Sequence, residues 1–101
     1  MNLLLNTVLR EKKRIDYMID QYEQELENLP KGTISERKAG EKTYYYLKYR
    51  ESGKVVSKYI RRDSLARIQE QIGRRKQIET MLKSLREERA MARRILERVS
   101  W

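Results

Sequence analysis

The stretch Thr43-Tyr44-Tyr45-Tyr46-Leu47-Lys48-Tyr49-Arg50-Glu51-Ser52-Gly53-Lys54-Val55-Val56-Ser57-Lys58-Tyr59-Ile60 decides the fold. It is rich in Tyr and Val, which suit a pleated surface. Ser52-Gly53 at its middle has the composition of a two-residue hairpin turn. Counting outward from that turn sets a register. Tyr49 faces Val56, Leu47 faces Lys58 and Tyr45 faces Ile60 on one side; Arg50 pairs with Val55, Lys48 with Ser57 and Tyr46 with Tyr59 on the other. The side with Tyr45, Leu47, Tyr49, Val56 and Ile60 is expected to pack on helices. The side with Tyr44, Tyr46, Tyr59, Lys48 and Arg50 is expected to be wet, because a three-stranded sheet has one face to bury.

Upstream, residues 33–38 read as a further strand, joined to the next by Ala39-Gly40-Glu41-Lys42. Strands at 33–38, 43–50 and 55–60 give a three-stranded antiparallel meander over about residues 33–60. Before it, Leu5, Val8, Ile15, Ile19, Tyr22, Leu26 and Leu29 recur at steps of three and four, with Lys12 as the interruption. This spacing predicts a helix over about 6–29, capped by Asn6 or Thr7 and ended by Pro30 and Gly32. After the meander, Asp63 or Ser64 is a good cap for a helix over about 64–99. Its first stripe is Leu65, Ile68 and Ile72. Its second is Ile78, Leu82, Leu85, Ala92, Leu96 and Val99, with Arg89 filling one slot, and Gly73 between the stripes marks a bend or a close contact.

The expected architecture is α+β: two long helices, as a hairpin or a coiled coil, flanking the meander in a single domain over residues 1–101. The second helix is the longer. With the sheet at one end, its far end would overhang, and that end is apolar (Ile95, Leu96, Val99 and Trp101). Either the helix folds back at Gly73 or a second copy covers it. A homodimer through Ile78, Leu82, Leu85, Leu96 and Val99 is therefore expected.

Composition narrows the function classes. The chain has 24 Lys and Arg against 15 Asp and Glu, a net charge of +9, with no Cys and no His. Without them there is no disulfide, no thiolate, no Cys/His zinc site and no Ser-His-Asp arrangement. Gly40-Glu41-Lys42-Thr43 echoes only the tail of a phosphate-binding loop. Glu23, Glu25, Glu27, Glu87 and Glu88 read as solvated helix faces, as do Arg74-Arg75-Lys76 and Arg93-Arg94. No enzymatic activity, cofactor or metal is expected. The apolar start, residues 1–9, is too short to span a bilayer, so no membrane association and a cytoplasmic location are expected.

Residues 31–62 hold ten Lys and Arg against three Asp and Glu, so the hairpin is the electropositive pole. Cations there neutralise phosphates and tyrosine rings stack on exposed bases. The expected nucleic-acid-binding residues are Tyr44, Tyr46, Lys48, Arg50, Lys54, Tyr59, Arg61 and Arg62. The same residue types also serve a strand on their own account, since tyrosine favours sheets and lysine blunts sheet edges. The partner is expected to be DNA or RNA, or a nucleic-acid-bound protein complex.

Leu29-Pro30-Lys31-Gly32-Thr33-Ile34-Ser35, followed by the Thr43 to Val55 run, resembles a family of short bacterial and phage-associated proteins with a Tyr-rich hairpin between helices. The resemblance covers roughly residues 25–85 and implies the helix–hairpin–helix layout without implying an activity. The Tyr-rich strand, the Tyr49-Arg50-Glu51-Ser52-Gly53-Lys54 turn and the basic return strand are also similar to the three-stranded arm-type DNA-binding domain of tyrosine recombinases. Here, however, a long helix precedes the sheet. These likenesses imply a DNA-binding accessory factor of a phage or mobile element. An alternative they imply is an inhibitor of a host nucleic-acid-handling complex, of the anti-CRISPR kind, docking by the same basic face.

Overall fold

The computed structural model describes residues 2–99. Met1, Ser100 and Trp101 lie outside the described residues, so the expectation for Trp101 has no structural counterpart. In chain order come helix α1 (Leu3–Glu27), strands β1 (Thr33–Ala39), β2 (Lys42–Glu51) and β3 (Lys54–Ile60), a 3-10 turn (Arg62–Ser64) and helix α2 (Leu65–Arg98). The class is the expected α+β, with two helices flanking an antiparallel meander of order β1-β2-β3. The chain divides into two compact units. One is helical and joins residues up to Asn28 with those from Gln77 on; the other runs from Leu29 to Lys76 and carries the sheet.

In the sheet unit, both neighbours of β2 hang on two-residue turns. Glu51 pairs with Lys54 across Ser52-Gly53, and the register runs from there through Tyr49–Val56, Tyr46–Tyr59 and Tyr45–Ile60, as the count from Gly53 requires. Ser52 (φ 51°) and Gly53 (φ 79°) both occupy the left-handed region, the signature of a type I′ turn whose twist matches the strands. Across Gly40-Glu41, Ala39 pairs with Lys42, so this turn also has two residues rather than the four read from the sequence, and the strands are correspondingly longer.

Gly32 (φ 122°) enters β1 beside β2. A Cβ built there would stand 2.2 Å from the Lys48 carbonyl oxygen, so no other residue fits without moving the strand. The first turns of α2 belong to this unit, where Leu65, Ile68 and Ile72 are half-buried and Arg75 donates from Nη1 to the Leu29 carbonyl at 2.9 Å. On the face expected to be inner, Ile60 is buried, while Tyr45, Leu47, Tyr49 and Val56 are only half-buried. About three helical turns are too little cover for strands up to ten residues long.

The helical unit pairs α1 with the later part of α2. Glu23 meets Arg86 at 3.1 Å and Asp16 meets Arg89 at 3.8 Å, so the two segments run antiparallel. Its core is Ile15, Ile19, Ile78, Leu82, Leu85 and Ala92, with Ile78 and Leu82 essentially sealed from solvent. This corrects two expectations. Ile78, Leu82 and Leu85, read as an interface between copies, fill the chain's own core. The surplus length of α2 lies at its beginning, where residues 65–76 belong to the sheet unit, and not at its far end. Of the other two expected interface residues, Leu96 is half-buried and Val99 is 38% exposed. The helix runs unbroken through Gly73, so it does not fold back there, and an added Cβ would meet nothing within 4 Å, so the close contact is absent.

The helix starts differ from expectation as well. Asn2, not Asn6 or Thr7, caps α1, its Oδ1 accepting from the Leu4 and Leu5 amides at 3.0 and 3.3 Å. Leu3 and Leu4 are helical yet exposed, so no apolar period announces them. The Thr7 hydroxyl instead donates to the Leu3 carbonyl at 3.1 Å. The chain enters α2 through the 3-10 turn, led by Arg61 without a side-chain cap bond, in place of a simple cap at Asp63 or Ser64.

Lys12 and Arg89, the two breaks in the apolar stripes, share one partner. Asp16 accepts from Lys12 Nζ at 2.8 Å and lies 3.8 Å from Arg89 Nη1. The Lys12 hydrogen bond, aided by the charges of Lys12, Arg89 and Arg93 and opposed by partial burial, holds the Asp16 carboxyl below its ordinary value. A carboxyl depressed by folding stabilises above its unfolded pKa and ceases to do so as pH falls through the folded one.

Three outcomes are expected. Leu82→Ala should cost about 2–5 kcal/mol in chemical denaturation followed by circular dichroism, while Ile95→Ala, at 42% exposure, should cost little. Ser52→Asn should raise stability by up to about 1 kcal/mol, because asparagine tolerates the left-handed region better than serine. Asp16→Asn should lower stability at neutral pH by about 1 kcal/mol or less, the pair being partly screened, and the difference from the parent chain should vanish as pH drops well below 4.

Candidate nucleic-acid interface

Strand alternation places Lys42, Tyr44, Tyr46, Lys48 and Arg50 on one face of β2, spanning roughly 27 Å at about 3.4 Å per residue. β1 adds Arg37 opposite Tyr44, and β3 adds Tyr59 opposite Tyr46. The rings gather into a cluster. The Tyr59 centroid lies 5.7 Å from that of Tyr46 in an edge-to-face arrangement, and 6.3 Å from that of Tyr44 at a tilt of 56°. Such geometries are favoured by the ring quadrupoles. The Arg37 guanidinium sits over the Tyr46 ring, 5.6 Å from its centroid. Tyr44 and Tyr46 are half-buried by this mutual packing, whereas Tyr59 remains 56% exposed and Val55, near the turn, 64%. Lys48 and Arg50 are exposed.

The other sequence-predicted residues are distributed differently. Lys54 pairs with Glu51 at the turn, and alternation puts it on the face opposite Lys48 and Arg50. Lys58 lies on that opposite face too, its ammonium 5.6 Å from the centroid of the Tyr49 ring. Arg62 joins Lys42, Tyr44, Tyr59, Thr43, Tyr45 and Ile60 around an open cleft of about 320 Å³ at the end of the sheet. Arg61 is exposed and does not line the cleft.

Two residues of this surface, Arg37 and Lys42, were not expected from the sequence. Counting back across the first turn pairs Arg37 with Tyr44 whether the loop is Gly40-Glu41 or runs from Ala39 to Lys42, so that signal lies in the sequence itself; the two-residue loop adds Lys42 to the ring-bearing face.

The charge is divided sharply. The sheet unit holds fourteen Lys and Arg against five Asp and Glu, a net +9, and the helical unit holds ten of each. The helical unit neutralises itself through pairs such as Lys12–Asp16, Arg14–Glu11 and Arg86–Glu23. Among the described residues, none of the ten Lys and Arg from Lys31 to Arg62 forms an ion pair. The sheet unit therefore presents uncompensated positive charge beside flat phenol rings, a combination suited to a polyanion with π-faces.

Among the described residues, no group of three or more acidic side chains could hold a metal ion, and no helix is long and apolar enough to cross a membrane. No curated protein and no solved structure matches the chain. A family model described as a domain of unknown function (DUF6788) matches residues 9–70. The match takes in most of α1, the whole meander and the opening of α2, more than half of the chain. The protein thus belongs to the DUF6788 family.

Proposed function

We propose that this protein is a non-catalytic nucleic-acid-binding accessory factor that works through the ring-bearing face of its sheet. One observation carries the reading: the whole net charge resides in the sheet unit, and among the described residues the ten Lys and Arg from Lys31 to Arg62, on and around a face with three clustered tyrosines, form no ion pair. Cations supply affinity by displacing counterions from phosphates, and the rings supply contacts that phosphates alone do not. Arg37, Lys48, Arg50 and Arg62 are the phosphate contacts in this reading, with Lys42 beside them. Lys54 and Arg61 lie off the face and contribute field rather than contact. The resemblance of the hairpin to phage-associated proteins and to the recombinase arm-type domain supports a mobile-element setting and a cytoplasmic place of work.

The alternative is a protein-binding inhibitor of a nucleic-acid-handling complex. The exposure of Tyr59 and Arg50 favours it, since tyrosine and arginine are enriched among the residues that dominate protein interfaces. An assembly of two copies would need surface other than Ile78, Leu82 and Leu85. The exposed Met91 and Ile95 stand four residues apart on α2, with Val99 just past its end, and offer one.

The two readings separate on a salt titration. Labelled DNA and RNA should bind at low salt, and for about four phosphate contacts the affinity should fall roughly a hundredfold between about 50 and 200 mM. Replacing Lys48 and Arg50 together by Glu should cost at least about tenfold in affinity while leaving helicity unchanged, because both side chains are exposed. Absence of binding at low salt, together with a stoichiometric complex with one nuclease-treated protein partner, would replace the first reading with the second.

A further inference from the structure

Building on the nucleic-acid reading, we infer that this face takes single-stranded rather than duplex nucleic acid, with a base against Tyr59 and its phosphate between Lys42 and Arg62. In a duplex the base faces are covered by their neighbours, and proteins read base edges with Arg, Lys, Asn and Gln. The cations of the face assembled by Arg37, Lys42, Tyr44, Tyr46, Lys48, Arg50 and Tyr59 suit duplex and single strand alike, but its centre is rings, for which an intact stack offers no open base face. Rings of this kind find their match in the open faces of unstacked bases, as aromatic residues on other sheet surfaces do with single strands.

Within the cluster the roles differ. Tyr46 is covered by Arg37 and half-buried, and Tyr44 is half-buried too. Tyr59 alone of the three keeps more than half of its surface open, while both other rings brace it at 5.7 and 6.3 Å. A braced, exposed ring is a stacking platform that loses little freedom on binding. Beside it, Tyr44 and Tyr59 line the same cleft as Lys42 and Arg62. Neither cation has an ion-pair partner among the described residues. The cleft thus joins ring and positive charge at the scale of one nucleotide. From there Tyr46, Lys48 and Arg50 continue along β2, making a short track suited to on the order of four nucleotides.

The test uses the full chain with labelled mixed-sequence strands of about 12 nucleotides, as single-stranded DNA, single-stranded RNA and the DNA duplex. At least one single strand should bind about tenfold or more tightly than the duplex, and comparing DNA with RNA strands identifies the preferred sugar. Tyr59→Ala and Tyr59→Leu should each lose roughly tenfold for the single strand and little for the duplex, while Tyr59→Phe keeps the parent affinity. The leucine variant retains apolar bulk in case the alanine variant perturbs the sheet. Lys42→Ala and Arg62→Ala should each reduce the salt slope for single strands by about 0.7. Duplex binding equal to or tighter than both single strands, or equal losses for strand and duplex in the Tyr59 variants, overturns this inference and leaves the broader reading standing. Failure of every probe to bind overturns the broader reading itself.

Discussion

Both neighbours of β2 are tied to it by two-residue turns, and that constraint fixes everything the sheet presents. Side chains alternate along a strand, so a slip of one residue at Ser52-Gly53 would exchange the two faces of the β2–β3 hairpin. Tyr44, Tyr46, Lys48 and Arg50 would change places with Tyr45, Leu47 and Tyr49. The left-handed backbone at Ser52 and Gly53 prevents the slip locally. On the other side of β2, Gly32 permits the chain to enter β1 against it, its backbone lying too close to the Lys48 carbonyl for any Cβ.

The two units differ in how they handle charge. The helical unit carries as many acids as bases and arranges them in pairs along and across its helices. Asp16 belongs to both helices in this sense, bonded to Lys12 on its own helix and near Arg89 on the facing one. Polar groups inside an otherwise apolar seam commonly fix which residues face each other. Here the aspartate lies where both seams are interrupted, so the interruptions meet one another rather than opposing an apolar residue. The sheet unit contains no such balance. Among the described residues, its cations from Lys31 to Arg62 form no ion pair with the acidic residues of that stretch, Glu36, Glu41 and Glu51.

What the sequence discloses follows from the range of each force. The register of the second hairpin is local, fixed by a turn and a period of two, and Tyr46–Tyr59 and Tyr45–Ile60 can be counted from Gly53 alone. The first hairpin is equally local, and Arg37 pairs with Tyr44 at either loop length, but Ala39 and Lys42 look like turn residues, and with them in the loop Lys42 loses its place on the strand. The burial of Ile78, Leu82 and Leu85 is legible as a stripe, whereas the surface covering it is not. A stripe of this spacing fits a helix of the same chain or of another equally well. Asn2 escapes notice because the leucines after it form no buried period. The edge-to-face contacts of Tyr59 are invisible in the sequence, since they depend on rotamers and not on spacing.

The unneutralised cations of the sheet have an effect on folding itself. Like charges crowded on a small domain repel one another, and the repulsion is present only when the chain is compact. Any polyanion that settles on the folded sheet relieves it, and by mass action raises stability with the logarithm of its free concentration above its dissociation constant. The free protein in dilute low-salt buffer should then melt below the same protein with a polyanion bound, so that a ligand of this sheet would also be a folding aid.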